Sequence, residues 1–345
     1  MSIPSDFWVS PAELSLRFSY PVRKRKLSFH NQKRDVKTWQ LHCRAKLAKM
    51  IGFQAPSPVL LRMLRQKQME NVSIQALVME VNANLHIPAY WLIPSDRAPK
   101  GTVMALHGHG EVECCLGAWE DYHHQFALEL AFQGYRVLCP ELRGFGALKD
   151  LALHLEGHRL DYWRWGEHMA YSLVTDGFQK GHTLIGDTVE DLLRWEGWLM
   201  EACGFQPIDV VGISYGGDLA LIYSALSAHV RSVFASGTFG SFAPIFERCY
   251  NAPAHCIPNI LEWMDRADIA GLSAPRPLVL HYGALDVPGP ENYSASYNES
   301  VLPAFEELEA IYATMGAASN VSLVISDGKR HEMDISAVLN HLSML

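Results

Sequence analysis

Apolar residues recur along this chain with more than one period, and the changes of period mark out its organisation. Val36, Trp39, Cys43, Leu47 and Met50 stand at helical spacing, which predicts a helix over Val36–Ile51. The period then changes. Val72–Val81 and His86–Pro94 alternate or run apolar, as two strands of a meander do. From residue 101 short apolar runs alternate with helical stretches. Strands are expected at Thr102–Leu106, Tyr135–Cys139, Ile208–Val211, Val230–Ala235, Leu278–His281 and Val321–Ile325. Helices are expected through Phe126, Leu130 and Phe132, and over Asp187–Met200, Asp218–Leu226, Val301–Met315 and Ile335–Leu342. Asp187 with Glu190 three residues on reads as a capping box for its helix. Alternation of this kind predicts an α/β fold: a mostly parallel central sheet with helices on both faces, and a site at the carboxyl ends of the strands.

Two stretches break the alternation. Residues 148–182 are rich in Trp, Tyr and His, and residues 241–268 contain Pro244, Pro253 and Pro258; both read as lid-like insertions. Residues 1–70 are more basic and read as an N-terminal helical extension, ahead of one catalytic domain over 71–345.

Composition narrows the class. Of 345 residues, 49% are hydrophobic and 19% charged, enough to bury a large core. The net charge is −8, and the one basic run, Arg23–Lys26, is too short for a nucleic-acid surface, so no such partner is expected. The seven cysteines are Cys43, Cys114, Cys115, Cys139, Cys203, Cys249 and Cys256. Their odd number and the lack of CxxC spacing suit reduced thiols in a cytoplasmic protein. Met1–Ser10 does not read as a signal peptide, and no apolar run reaches the length of a membrane span.

The sharpest chemical signal is Ile208-Asp-Val-Val-Gly-Ile-Ser-Tyr-Gly-Gly217. It is an apolar strand, then Gly212-x-Ser214-x-Gly216, then a helix. A nucleophilic hydroxyl raised on a tight strand-to-helix turn needs small residues two positions to either side, where backbones pass closely. The helix behind it points its positive end at the site. Leu106-His-Gly-His-Gly110 ends an earlier strand and suits a loop that turns a backbone N–H toward developing oxyanion charge. The expected donors are the N–H groups of His109 and Tyr215. Asp286 follows the strand Leu278–His281, and His331 follows the strand Val321–Ile325. The order Ser, Asp, His gives Ser214 as nucleophile, His331 as general base and Asp286 as the group that orients the imidazole. Asp265 and Asp268 precede their strand and are weaker candidates for the acid, while His341 is expected at the surface of the last helix.

Several quoted segments together resemble the acetyl xylan esterase-like and dienelactone hydrolase-like branch of the α/β-hydrolase superfamily, over roughly residues 70–335. They are Leu106-His-Gly-His-Gly, Pro140-Glu-Leu-Arg-Gly-Phe-Gly146, Gly212-Ile-Ser-Tyr-Gly-Gly217, Ile257-Pro-Asn-Ile-Leu-Glu-Trp-Met-Asp265, Ala274-Pro-Arg-Pro-Leu-Val279 and Gly283-Ala-Leu-Asp286. The resemblance implies the α/β-hydrolase fold and hydrolysis of small acyl esters, often on sugars, with no cofactor. Dienelactone hydrolases carry Cys where this chain has Ser214. The histidine stands in Lys329-Arg-His331 where the family has Gly-Gly-His.

The remaining candidates divide between chemistry and packing. Tyr162, Trp163 and Trp165 are candidate substrate contacts on the leaving-group side, weighed evenly against an aromatic stripe packed on the core. His107 and His109 lack a third partner for a metal, so no metal site is expected, and His107 reads as a locally bonded packing residue. Arg143 reads as a tie between loops. The expected activity is hydrolysis of carboxylic esters with short acyl groups through an acyl-enzyme, acting on a small-molecule ester. A homo-oligomer is left open. A thioesterase or acyltransferase with a bulky acyl substrate uses the same acyl-enzyme and is the alternative. A peptidase is disfavoured because about 70 preceding residues cannot form the large propeller that related oligopeptidases carry. The intact Ser, Asp and His set argues against a non-catalytic scaffold.

Overall fold

Strands that are apolar on both sides can be covered only by helices on both faces, and this chain follows that rule. The computed structural model describes residues 25–31, 35–57, 59–148, 168–243, 253–287 and 298–345. Among the described residues the strands are β1 (Leu60–Met69), β2 (Val72–Asn82), β3 (Leu85–Pro94), β4 (Thr102–Leu106), β5 (Arg136–Pro140), β6 (Ile208–Ile213), β7 (Val230–Ser236), β8 (Leu278–Gly283) and β9 (Val321–Ser326). They form one sheet in the order β1-β2-β3-β5-β4-β6-β7-β8-β9. The run from β5 to β9 is parallel, and every residue of β4, β6 and β8 is buried. β1, β2 and β3 join antiparallel at one edge, β3 pairing with β5. From β4 the chain crosses to β5 on one side and then to β6 on the other. The strand order therefore reverses at β4, and the crevice at that switch lies beside the carboxyl ends of β4 and β6.

The helices are α1 (Val36–Ile51), α2 (Phe126–Phe132), α3 (His168–Lys180), α4 (Leu184–Cys203), α5 (Tyr215–Leu226), α6 (Ile260–Trp263), α7 (Arg266–Gly271), α8 (Asn298–Thr314) and α9 (Ile335–Ser343). The sheet divides the apolar interior in two. α1, α4, α5, α7 and α8 contribute to one cluster, and α2 and α9 to the other. α1 buries Trp39, Cys43, Leu47 and Ile51, the side read from its helical spacing. Asp35 caps its start by accepting from the Thr38 N–H, and Gly52 ends it at φ +72°. Polar side chains tie α1 to the domain. Trp39 Nε1 donates to the Leu27 carbonyl, Gln40 Nε2 to those of Gly271 and Ala274, and Arg44 Nε to that of Ala225.

Three expectations need correction. The N-terminal extension is not helical throughout, because residues 60–69 form the edge strand β1, paired with β2 almost along its length. Leu-Leu-Arg-Met-Leu-Arg-Gln-Lys-Gln-Met is built of good helix formers without alternation, and cross-strand pairing overrides that local preference. The cap of α4 is Thr183, whose hydroxyl accepts from the Gly186 N–H, so Asp187 lies inside the helix, where it faces Arg143 at 3.5 Å. His341 is buried rather than at the surface. Its Nε2 meets the Ser232 hydroxyl at 3.1 Å, and that hydroxyl donates to Asp209, so the ring is the donor.

His281 is buried in a similar way within β8. The Ser326 hydroxyl donates to Asp334, so His281 Nε2–H donates to Ser326, and His281 Nδ1 accepts from Ser236. A second ring proton would reverse the Ser236 bond. Burial holds both His281 and His341 down to about 4, below the usual 6.5. Folded-state values below the unfolded value mean that this stability is present above about pH 6.5 and is lost as the pH falls toward 4. Each group accounts for roughly 3 kcal/mol across that window, because a tenfold change in proton affinity is worth about 1.4 kcal/mol. Denaturant unfolding measured from pH 7 to pH 4 is expected to show falling stability with proton uptake, to which these two rings contribute up to two protons. His341→Leu should remove about one of them, and an unchanged slope in that variant would count against the assignment.

Candidate active site

β6 ends at Ile213 and α5 begins at Tyr215, so the chain turns from strand to helix at one residue. That residue, Ser214, has φ +56° and ψ −120°, a conformation that non-glycine residues rarely adopt. The turn is tight because three backbones meet. A Cβ on Gly212 would overlap the carbonyl of Gly216, and one on Gly216 would overlap the carbonyls of Leu106 and His107. The Ser214 N–H donates to the Ser236 carbonyl at 2.8 Å, which fixes the elbow to β7. Its side chain is half-buried at the strand-order reversal.

Asp286 and His331 are brought together. Asp286 Oδ2 lies 2.8 Å from His331 Nδ1; the carboxylate is buried and the ring is one-fifth exposed. Two loops make this pair, one after β8 and one after β9. A Cβ on Gly283 would overlap the carbonyls of Lys329 and Arg330, and the Leu285 N–H donates to Lys329 at 2.8 Å. Gly237, at φ +63°, passes directly beneath the imidazole, and a Cβ there would stand 2.8 Å from His331 Cε1. Asp265 and Asp268, the weaker candidates for the acid, form the capping box of α7 instead.

The loop His107–Gly110 packs against the elbow. A Cβ on Gly108 would lie 2.9 Å from the Ser214 Cβ. The rings of His109 and Tyr215 are 5.8 Å apart. The Gly108 N–H donates to His123 Nε2 at 2.9 Å and is thereby used. The N–H of Tyr215 belongs to the first turn of α5, ahead of the intrahelical ladder. His107 is fully buried between Glu141 Oε1 at 2.8 Å and the Gly108 carbonyl at 2.7 Å, the local bonding expected of it. Arg143 binds Asp191 at 2.6 and 2.9 Å, tying the loop after β5 to α4.

Sequence reasoning missed several residues here. Tyr122 donates its hydroxyl to the His109 carbonyl at 2.7 Å, and its ring lies 5.5 Å from that of His331, so it bridges the two loops. His123 is held by Asp121 at 2.8 Å, and burial outweighs that carboxylate and keeps the ring below its usual value. Nothing in the spacing of Trp119–Phe126 marks these roles. Asp218, His255 and Arg266 form a buried cluster behind the elbow, and a lone acid in an otherwise apolar helix was its one visible signal. Tyr162, Trp163 and Trp165 lie outside the described residues.

Cys114, Asp121 and His123 come within ligand reach of one another, a grouping the sequence did not suggest. The hydrogen bonds give it another reading. His123 Nε2 accepts from Gly108, so the proton sits on Nδ1 and faces Asp121, which leaves no nitrogen lone pair for a cation.

Comparison with known proteins bears on the fold. A sequence model of the α/β-hydrolase-fold family matches residues 101–255. The chain has the α/β-hydrolase fold. Among solved α/β hydrolases, a candidate acetyl xylan esterase of Bacteroides fragilis NCTC 9343 superposes with a TM-score of 0.69 at 18% identity, over 89% of this chain and 80% of the other. Acetyl xylan esterase 1 of Thermoanaerobacterium sp. JW/SL YS485 gives 0.54 at 17% identity, over 90% of this chain and 94% of the other. The candidate hydrolase YtaP of Bacillus subtilis (strain 168) is 25% identical over 297 residues, which is 82% of this chain and 90% of that protein. These matches accord with the α/β-hydrolase fold read from the motifs. Among the described residues, no helix is long and apolar enough to cross a membrane.

Gly237 gives a test of the geometry. Gly237→Ala adds a methyl against the imidazole and strains a left-handed backbone position. Displacing a reacting group by about 1 Å costs on the order of 100-fold in rate. The variant is expected to stay folded by circular dichroism and to lose about that much kcat/KM on a chromogenic ester. Unchanged turnover would show that His331 does not act from this position.

Proposed function

We propose that the protein is a serine carboxylic-ester hydrolase. The observation that carries this reading is the Asp286–His331 pair, 2.8 Å apart, at the carboxyl edge of the sheet that also presents the strained Ser214 elbow. In this reading Ser214 Oγ attacks the ester carbonyl and His331 Nε2 takes its proton. Asp286 holds the proton on Nδ1 and stabilises the imidazolium. The tetrahedral oxyanion takes hydrogen bonds from the N–H groups of His109 and Tyr215. The choice of His109 on its loop is supported by the engagement of the Gly108 N–H with His123. The first turn of α5 adds the positive end of its dipole. His331 then protonates the departing alkoxide, and water releases the acyl group by the same steps in reverse order.

The substrate reading follows from crowding. Gly108 lies against Ser214, where an added Cβ would stand 2.9 Å from the Ser214 Cβ, and the Tyr122 hydroxyl closes over the same glycine, which favours a small acyl group there. A pocket gains about 0.8 kcal/mol for each methylene it can bury, and overfilling costs about 1 to 3 kcal/mol. Acetyl to butyryl esters of bulky alcohols are therefore the proposed substrates, with Tyr162, Trp163 and Trp165 proposed for the leaving-group side. The acetylated-sugar names of the structural neighbours fit such a small acyl group.

Labelling with a fluorophosphonate probe tests the nucleophile. Wild type should be labelled, and Ser214→Ala should not, with turnover of short esters falling by about a thousandfold or more. Turnover that survives in folded Ser214→Ala would end this reading. A panel of acetyl to octanoyl esters of one alcohol tests the acyl limit, and a preference of roughly tenfold for octanoyl, about 1.4 kcal/mol, would overturn the small pocket.

A further inference from the structure

Behind the elbow lies a buried cluster that the proposed reaction does not use. Asp218, in the first turn of α5, is 2% exposed. Arg266, 1% exposed at the start of α7, grips it with Nε at 2.8 Å and a second nitrogen at 2.6 Å. His255, 4% exposed, bonds the same carboxylate through Nδ1. Burial pushes the Asp218 carboxyl up, but Arg266 and His255 outweigh it and hold it well below the usual carboxylate range. Asp218 is therefore held as a carboxylate, a fixed anchor for its two partners.

One side of this anchor faces the site. The His255 ring stacks on that of His109, with centroids 5.4 Å apart and planes within 25°. It also meets the Tyr215 ring edge-on at 5.2 Å. The ring of His109 has no hydrogen-bond partner at Nε2 among the described residues, and the rings of His255, Tyr215 and Phe145 pack against it. Phe145 completes the enclosure at 5.2 Å from His109 and 5.3 Å from Tyr215.

Resting on the proposed reaction, we propose that His255 is a positioning residue for the oxyanion hole. Asp218 and Arg266 fix its ring, and its ring fixes the His109 segment against the Tyr215 end of α5. The two N–H donors sit on separate elements, a loop and a helix, and their spacing must hold to a fraction of an ångström for both to reach one oxygen. The Tyr122 hydroxyl holds the His109 carbonyl from one direction, and the His255 ring holds its side chain from another. Arg266 adds a second effect. An uncompensated Asp218 charge in the first turn of α5 would oppose the oxyanion, and the bidentate guanidinium neutralises it.

The test is a double-mutant cycle of His109→Ala and His255→Ala on a short ester, with kcat, KM and affinity for a trifluoromethyl ketone measured for each protein. Each single variant is expected to lower kcat and ketone affinity together by roughly 10- to 100-fold, with KM within about threefold of wild type. The double variant should be no worse than the weaker single by more than about threefold, because both act through one contact. His255→Phe keeps a ring but loses the bond to Asp218, so its kcat should fall between wild type and His255→Ala, and it serves if His255→Ala does not fold. Multiplying losses in the double variant, a His109→Ala protein with normal kcat, or a His255→Phe protein as impaired as a folded His255→Ala protein would each overturn the proposal. Fluorophosphonate labelling of the unaltered protein keeps the two readings apart. No labelling ends the hydrolase reading and this one with it, whereas labelling with unimpaired variants ends only the positioning role.

Discussion

Everything at the centre of this molecule depends on how closely three backbones can pass. β6, the first turn of α5 and the end of β4 converge around Gly212 and Gly216, and at either position a single methyl would collide with main-chain carbonyls. Because the backbones meet without side chains between them, the chain can turn from strand to helix at Ser214, and the loop after β4 can lie against the elbow. The left-handed dihedral at Ser214 is the cost of that turn, on the order of 1 to 3 kcal/mol. Full burial of β4 and β6 on both faces holds the junction rigid against this strain.

Histidine–carboxylate pairing is the second recurring device. His331 with Asp286 forms the reacting pair of the proposed chemistry. His107 with Glu141 and His123 with Asp121 hold the two sides of the loop after β4, and His255 with Asp218 lies behind it. Where a carboxylate holds the proton on one ring nitrogen, the other nitrogen is left as an acceptor. The bond from the Gly108 N–H to His123 is the plainest case, since it exists only if Asp121 keeps the proton on the far nitrogen.

Much of this was legible in the sequence, for reasons that differ by element. β4, β6 and β8 announce themselves because doubly covered strands must be continuously apolar. The elbow is legible because its steric demand falls on two glycines at fixed spacing. Asp286 and His331 are legible because chain order in this fold restricts where each can stand. β1 was not legible, because an exposed edge strand carries no alternation and its residues favour helix by themselves. Tyr122, His255 and Arg266 were hidden because their partners lie 13, 37 and 48 residues away. His341 was misjudged because amphipathic spacing near a chain end does not reveal the Ser232 and Asp209 that receive it.

The edge at β1 has a colloidal consequence. One side of this ten-residue strand is paired with β2, and β1 is the last strand of the sheet on that side, with Leu60, Met63 and Leu64 largely exposed. A bulge between Met63 and Arg65 breaks its regularity; Arg65 and Lys67 place positive charge along it, while Arg62 is paired with Glu80 of β2. Edge-to-edge association of two copies would thus bring like charges together, a repulsion that reaches about 10 Å at 0.1 M salt and only about 3 Å at 1 M. Concentrated salt strips away that guard while strengthening the attraction of the exposed leucines. Added salt would therefore favour contact between copies at this edge.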